Sequence, residues 1–89
     1  MYKRQVEEGA DVQYSILMPG AVVKKGAVVA YAIVAEGAVI EAEATVGAPP
    51  SEDPDWGIAV VAGGVHVGEK AVVKPSAMVR KNVKGGEQV

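Results

Sequence analysis

Apolar residues return along this chain at steps of five or six. Val6, Val12 and Leu17 open three successive units, Val23, Val29 and Val34 open three more, and Ile40 and Val46 continue the series. Four residues after each of the first seven stands a second apolar side chain: Ala10, Ile16, Ala21, Ala27, Ile33, Ala38 and Ala44. Three residues after most of them comes a small one: Gly9, Ser15, Gly20, Gly26, Ala32 and Gly37. Three units sum to seventeen, so VEEGADVQYSILMPGAV at 6–22 aligns without a gap on VKKGAVVAYAIVAEGAV at 23–39. An amphipathic helix would put apolar residues at i, i+3, i+4 and i+7, which is not the pattern here. A short strand followed by a tight corner does recur at six. Its first aliphatic and the small residue four places on point inward, and Gly near the corner takes backbone angles closed to other residues.

Internal repetition of this kind predicts stacked coils. The chain therefore reads as all-β, a parallel β-helix of about four triangular coils. The pattern breaks at APPSEDPDWG, 48–57, and resumes in register with Val61, Val67, Val73 and Val79. Val46 to Val61 exceeds Val29 to Val34 by ten residues, which predicts a loop inserted in the second face of the third coil. Three inward ladders follow: Val6, Val23, Ile40 and Val67; then Val12, Val29, Val46 and Val73; then Leu17, Val34, Val61 and Val79. The β-helix domain is set at residues 6–83, with 84–89 as a tail without repeat and 1–5 as a non-native scar segment. The repeat is in register at Val6 with no polar cap before it. An uncapped coil exposes apolar surface and unpaired strand edges, so the chain reads as the C-terminal piece of a longer protein, a piece expected to associate through those edges or through the Tyr14 and Tyr31 face, or else to unfold easily.

Composition narrows the picture. The apolar residues are mostly Val and Ala, with no Phe and one Trp, so no core of large aromatics is available. A net charge of -2 predicts neither a nucleic-acid binder nor a basic membrane-surface module. With no cysteine, disulfides and thiolate metal sites are excluded. No apolar run nears the roughly 20 residues of a membrane span, and a cytoplasmic protein is expected.

At YSILMPGAVV, YAIVAEGAVI and IAVVAGGVHVGEKAVV the chain resembles the C-terminal domain of glucose-1-phosphate adenylyltransferase, also called ADP-glucose pyrophosphorylase. The likeness covers about residues 6–83. The hexapeptide pattern alone is shared by sugar nucleotidyltransferases, acyltransferases and γ-class carbonic anhydrases. The SILMPG string, the paired AIV…GAVI and the interrupted coil resuming as IAVV are the more specific marks. The resemblance implies a left-handed coil, against the usual right-handed crossover. It implies ADP-glucose synthesis from ATP and glucose 1-phosphate for glycogen, by an N-terminal catalytic domain that holds the nucleotide and Mg²⁺. No Gly-rich phosphate loop occurs in this chain, so no catalytic residue and no cofactor are assigned to it. The implied role of the β-helix is packing on the catalytic domain, homo-oligomer formation and allosteric response to a phosphorylated metabolite. The alternative is a fragment of a trimeric hexapeptide acyltransferase.

Candidate residues follow. Lys24, Lys25, Lys70, Lys74 and Arg80 are candidates for an effector phosphate, because cations bind it by charge. Lys81 adds to the same basic stretch. The competing reading is a solvated outward face balanced by Glu7, Glu8 and Glu41. In plant-type relatives an effector Lys follows the third-face aliphatics, where this chain has Glu36 and Ala62. His66 could be an acyltransferase general base or a surface His at a corner, and one His is too few for the carbonic anhydrase metal. No metal site is assigned, and the 48–57 loop lacks the ligand spacing of a Ca²⁺ site. Trp56 either packs back on the prism or anchors an interface. Tyr14 and Tyr31 should stack on the outside of the second face, as a cross-strand pair or as a contact with another subunit or domain.

Overall fold

The computed structural model describes residues 5–89, with Gln5 by its backbone alone. Twelve strands of two or three residues form three four-stranded parallel sheets. The first face stacks β1 (Gln5–Val6), β4 (Val22–Val23), β7 (Val39–Ile40) and β10 (His66–Val67) in that order. The second stacks β2 (Asp11–Gln13), β5 (Val28–Ala30), β8 (Thr45–Val46) and β11 (Val72–Val73). The third stacks β3 (Ile16–Leu17), β6 (Ala32–Val34), β9 (Ala59–Val61) and β12 (Met78–Val79). The molecule is a left-handed parallel β-helix of four coils, a prism of 37 × 25 × 24 Å.

The register is that of the sequence ladders. Val6, Val23, Ile40 and Val67 stand side by side on the first face. Val12, Val29, Val46 and Val73 do so on the second. Leu17, Val34, Val61 and Val79 do so on the third. From the second coil on, the ladders are buried together with Ala21, Ala27, Ala38, Ala44, Ala59 and Ala71. The narrow triangular interior explains the composition. One β-branched residue per face fills it, Ala fits beside each, and an aromatic ring has no room. Each buried Val contributes about 1.5–3 kcal/mol by leaving water. In the first coil Val6 is 49% exposed, whereas Val23 beneath it is fully buried.

Every corner from Gly9 to Ser76 has a residue with positive φ; the corner after β12, at 80–82, has none. Gly fills many of these places, and Gly47 (φ 76°) shows why, since a Cβ there would overlap the carbonyl oxygen of Ala30. Other residues take the same conformation, including Tyr14 (φ 47°), Tyr31 (φ 52°), Glu43 (φ 61°) and Lys70 (φ 62°).

Several expectations are corrected. Ile16 and Ile33 do not point inward: Ile16 is 58% exposed and Ile33 half-buried. The second-face units of the first two coils have five residues, so the small inward residue comes one place earlier, at Ser15 and Ala32. The 48–57 loop leaves from the corner after the second face, between β8 and β9, and leaves both faces in register. Residues 84–89 are no free tail. Val83 bridges Val67 and Gln88 bridges Val72, which begins a fifth coil. Lys74 N–H donates to the Val89 carbonyl, and Val89 N–H to that of Val72, both at 2.9 Å. Residues 1–4 of the expected scar lie outside the described residues, and Gln5 already pairs with Val22.

Candidate functional site

The outer surface carries three kinds of chemistry, one of charge, one of aromatic rings and one of aliphatic side chains. Charge collects on the corner between the first and second faces. Lys24 Nζ lies 3.9 Å from Glu7 Oε2, and Lys70 Nζ lies 3.9 Å from Glu43 Oε1. Lys25 N–H donates to Glu7 Oε1 at 3.0 Å. Carboxylates from neighbouring coils thus alternate with the lysines up this corner. Lys74 stands on another corner, after β11, and Arg80 on the third, after β12. There Arg80 Nη2 lies 3.1 Å from Met78 Sδ. A phosphate is held when several cations converge on one point. Lys24, Lys25 and Lys70 share one corner, whereas Lys74 and Arg80, near Lys70 in sequence, are carried to the other two.

His66 is not at a corner. It lies in β10, outward on the first face, with Nδ1 3.8 Å from Glu41 Oε2. Its N–H donates to Asn82 Oδ1 at 3.0 Å, the place that a backbone carbonyl fills for Val22 and Val39. Among the described residues, no group of three His, Cys, Asp or Glu could hold a metal ion. Nor is any helix there long and apolar enough to cross a membrane.

The aromatic residues come together. The Tyr14 and Tyr31 rings stack at 5.0 Å with 19° between planes, on the corner between the second and third faces rather than on the second face itself. Trp56 meets Tyr31 edge-on at 5.8 Å and 73°, and its Nε1–H donates to the Ala48 carbonyl at 2.9 Å. The ring therefore closes the 48–57 loop onto the prism. Trp56 N–H donates to Asp53 O at 3.0 Å, and Asp55 N–H to Asp53 Oδ1 at 2.9 Å. Ser76 fastens the far end: its hydroxyl donates to Asp55 O and its N–H to Gly57 O. Tyr14 is 77% exposed. Beside the loop is a recess of about 250 Å³ lined by Asp53, Asp55, Trp56 and Lys74. A larger groove of about 590 Å³ lies along the last coil, between Met78 and Val89.

The third face carries what sequence reasoning missed. Its outward ladder is Ile16, Ile33, Val60 and Met78, with Ile16 and Met78 each 58% exposed. The outward ladder of the first face runs Val22, Val39 and His66, and that of the second runs Asp11, Val28, Thr45 and Val72, so each is interrupted by polar residues. The signal was available. Each of the four immediately precedes an inward third-face residue, so alternation along the strand places it outside.

Residues 1–68 match a family model described as GlmU-like, C-terminal hexapeptide. The chain belongs to this family. The GlmU-like match makes it a hexapeptide-repeat domain of nucleotidyltransferase or acyltransferase type. It does not single out the ADP-glucose relatives among those that share the repeat. No curated protein matches the chain.

Proposed function

We propose that this GlmU-like hexapeptide chain is the regulatory and oligomerisation domain of a cytoplasmic sugar nucleotidyltransferase. On this reading the enzyme makes ADP-glucose from ATP and glucose 1-phosphate for glycogen synthesis. The partners are an N-terminal catalytic domain outside this chain, further copies of the chain, and a phosphorylated metabolite as effector. Mg²⁺ belongs, on this reading, with the nucleotide in that catalytic domain, as the resemblance implies. The observation that carries the reading is the third face, where Ile16, Ile33, Val60 and Met78 form an outward apolar ladder beside Tyr14 and Tyr31. A row of this kind is suited to burial against protein. The SILMPG and AIV…GAVI strings that resemble the ADP-glucose enzymes run through that face.

The acyltransferase reading is favoured by one observation, the His66–Glu41 pair, because a carboxylate beside a His is the arrangement of a general base. His66 stands on an open face and lines neither groove. Two measurements separate the readings. Purified chain with ATP, glucose 1-phosphate and Mg²⁺ should release no pyrophosphate above a blank, and turnover by the chain alone would refute the division of labour. Titration with acetyl-CoA should give no heat of binding; saturable binding would favour the acyltransferase.

A further inference from the structure

The fourth coil is covered on two faces and open on the third. Val83 bridges Val67 and Gln88 bridges Val72, but β12 is the last strand of its sheet. One coil down, Val60 N–H donates to the Ala77 carbonyl and Ala62 N–H to that of Val79, each at 2.9 Å. In the same register Met78 and Arg80 stand over Val60 and Ala62. Their N–H groups, with the Met78 carbonyl between them, therefore face the groove of about 590 Å³, and no described residue accepts from either N–H. Free edge groups at this spacing are a template for one more strand.

The cations at this edge say what that strand carries. Elsewhere in the prism a corner lysine meets a carboxylate at the same place in the adjacent coil, Lys24 with Glu7 and Lys70 with Glu43, both at 3.9 Å. Arg80 and Lys81 are exposed and stand over Ala62 and Gly63, which offer no carboxylate. Glu87 also lines the groove, but it accepts from the Lys84 N–H at 3.0 Å. We propose that an extended acidic segment of a partner protein lies in this groove as a parallel strand on β12. One aliphatic residue of the segment stacks over Val79, and the next two are Asp or Glu, facing Arg80 and Lys81. The aliphatic residue donates its N–H to the Met78 carbonyl and accepts from Arg80 N–H, and the carbonyl two places before it accepts from Met78 N–H. A second copy of the chain fits this edge less well. Its β3 would set Leu17 over Val79, but Met18 and Pro19 would meet the two cations. The inference goes beyond the enzyme proposed above and does not depend on which sugar nucleotide is made.

Fluorescence anisotropy of a labelled, amidated peptide Ala-Ile-Val-Glu-Glu, titrated with the full chain, tests this. Three backbone bonds and two charge contacts should give saturable binding with Kd on the order of 100 µM. Methylation of the Val nitrogen removes the donor to Met78 and should weaken binding at least about tenfold, as should Lys-Lys in place of Glu-Glu. The R80E/K81E variant should reverse the preference and bind the Lys-Lys peptide at least about tenfold more tightly than the Glu-Glu one, which also shows that the variant is folded. No saturation up to about 1 mM overturns the proposal. So does undiminished binding of the methylated peptide, which would leave Arg80 and Lys81 as charges that merely guard the edge. Self-association of the wild type in sedimentation that the peptide does not reverse would give the edge to a second copy instead.

Discussion

The corner between the first and second faces and the corner between the second and third make the same turn from different residues. The former uses Gly9 and Gly26, at φ 82° and 74°, and surrounds them with Glu7, Lys24 and Lys25. The latter puts Tyr14 and Tyr31 at φ 47° and 52°. A left-handed residue other than Gly costs roughly 1–2 kcal/mol. At the aromatic corner, ring stacking offsets part of this, because a well-placed aromatic pair contributes about 0.5–1.5 kcal/mol beyond its buried area. The difference teaches that at these two corners the coil dictates the backbone conformation and leaves the side chain free. What fills the place is set by what the neighbouring coils can stack against it.

The most damaging way to break the comparison is at Gly47, where neither charge nor stacking can compensate. Gly47→Val should cost at least about 3 kcal/mol, through positive φ and overlap with the Ala30 carbonyl, read as a large fall in thermal midpoint. Next comes Tyr31, which holds both Tyr14 and Trp56. Tyr31→Ala should cost about 2 kcal/mol in chemical denaturation. Tyr31→Gly should be the milder change by about 1 kcal/mol, because Gly accepts the left-handed backbone. If Ala proves the more stable, the positive φ is not the strained feature claimed for it. Smaller still is deletion of 48–57, which joins Gly47 to Ile58 and restores the five-residue spacing of the first two coils. Circular dichroism should show the same fold, and stability should change by less than about 2 kcal/mol. The smallest effect belongs to the charged corner. Lys24→Gln removes an exposed pair and should shift stability by no more than about 0.5 kcal/mol, less again in high salt.

The ladders were legible because an inward position in a narrow prism admits so few residue types that Val and Ile mark it without help from neighbours. The aromatic stack was legible for a related reason, since a repeat of seventeen puts Tyr31 directly under Tyr14. The fifth coil was not. VKGGEQV at 83–89 mirrors VKKGAVV at 23–29, but four residues separate Val79 from Val83, and Asn82 covers the shortfall with its side chain. The aliphatic ladder of the third face was hidden for a different reason. In five-residue units the fourth place after an inward residue turns outward, so Ile16 and Ile33 carried the spacing of core residues and stand in solvent. The placement of Lys24, Lys25, Lys70, Lys74 and Arg80 was not legible either, since distance along the chain says nothing of which corner a cation reaches until the coils are counted.

The ten-residue insertion has a consequence for how the chain folds. Successive coils meet at a separation of seventeen residues, as in Val12 beside Val29, and of twenty-seven across the insertion, as in Val34 beside Val61. Lengthening the closed loop by that ratio costs only about 0.4 kcal/mol of chain entropy. Each coil bonds mainly to the coil above and the coil below, so the molecule behaves as a short one-dimensional stack whose pieces assemble and fray in order. Amide exchange should therefore run as a gradient, fastest in the strands of the outer coils and slowest at Ile40 and Val46. The insertion would be one slower rung in that zipper, and the chain could lengthen or shorten by whole coils without altering the rungs that remain.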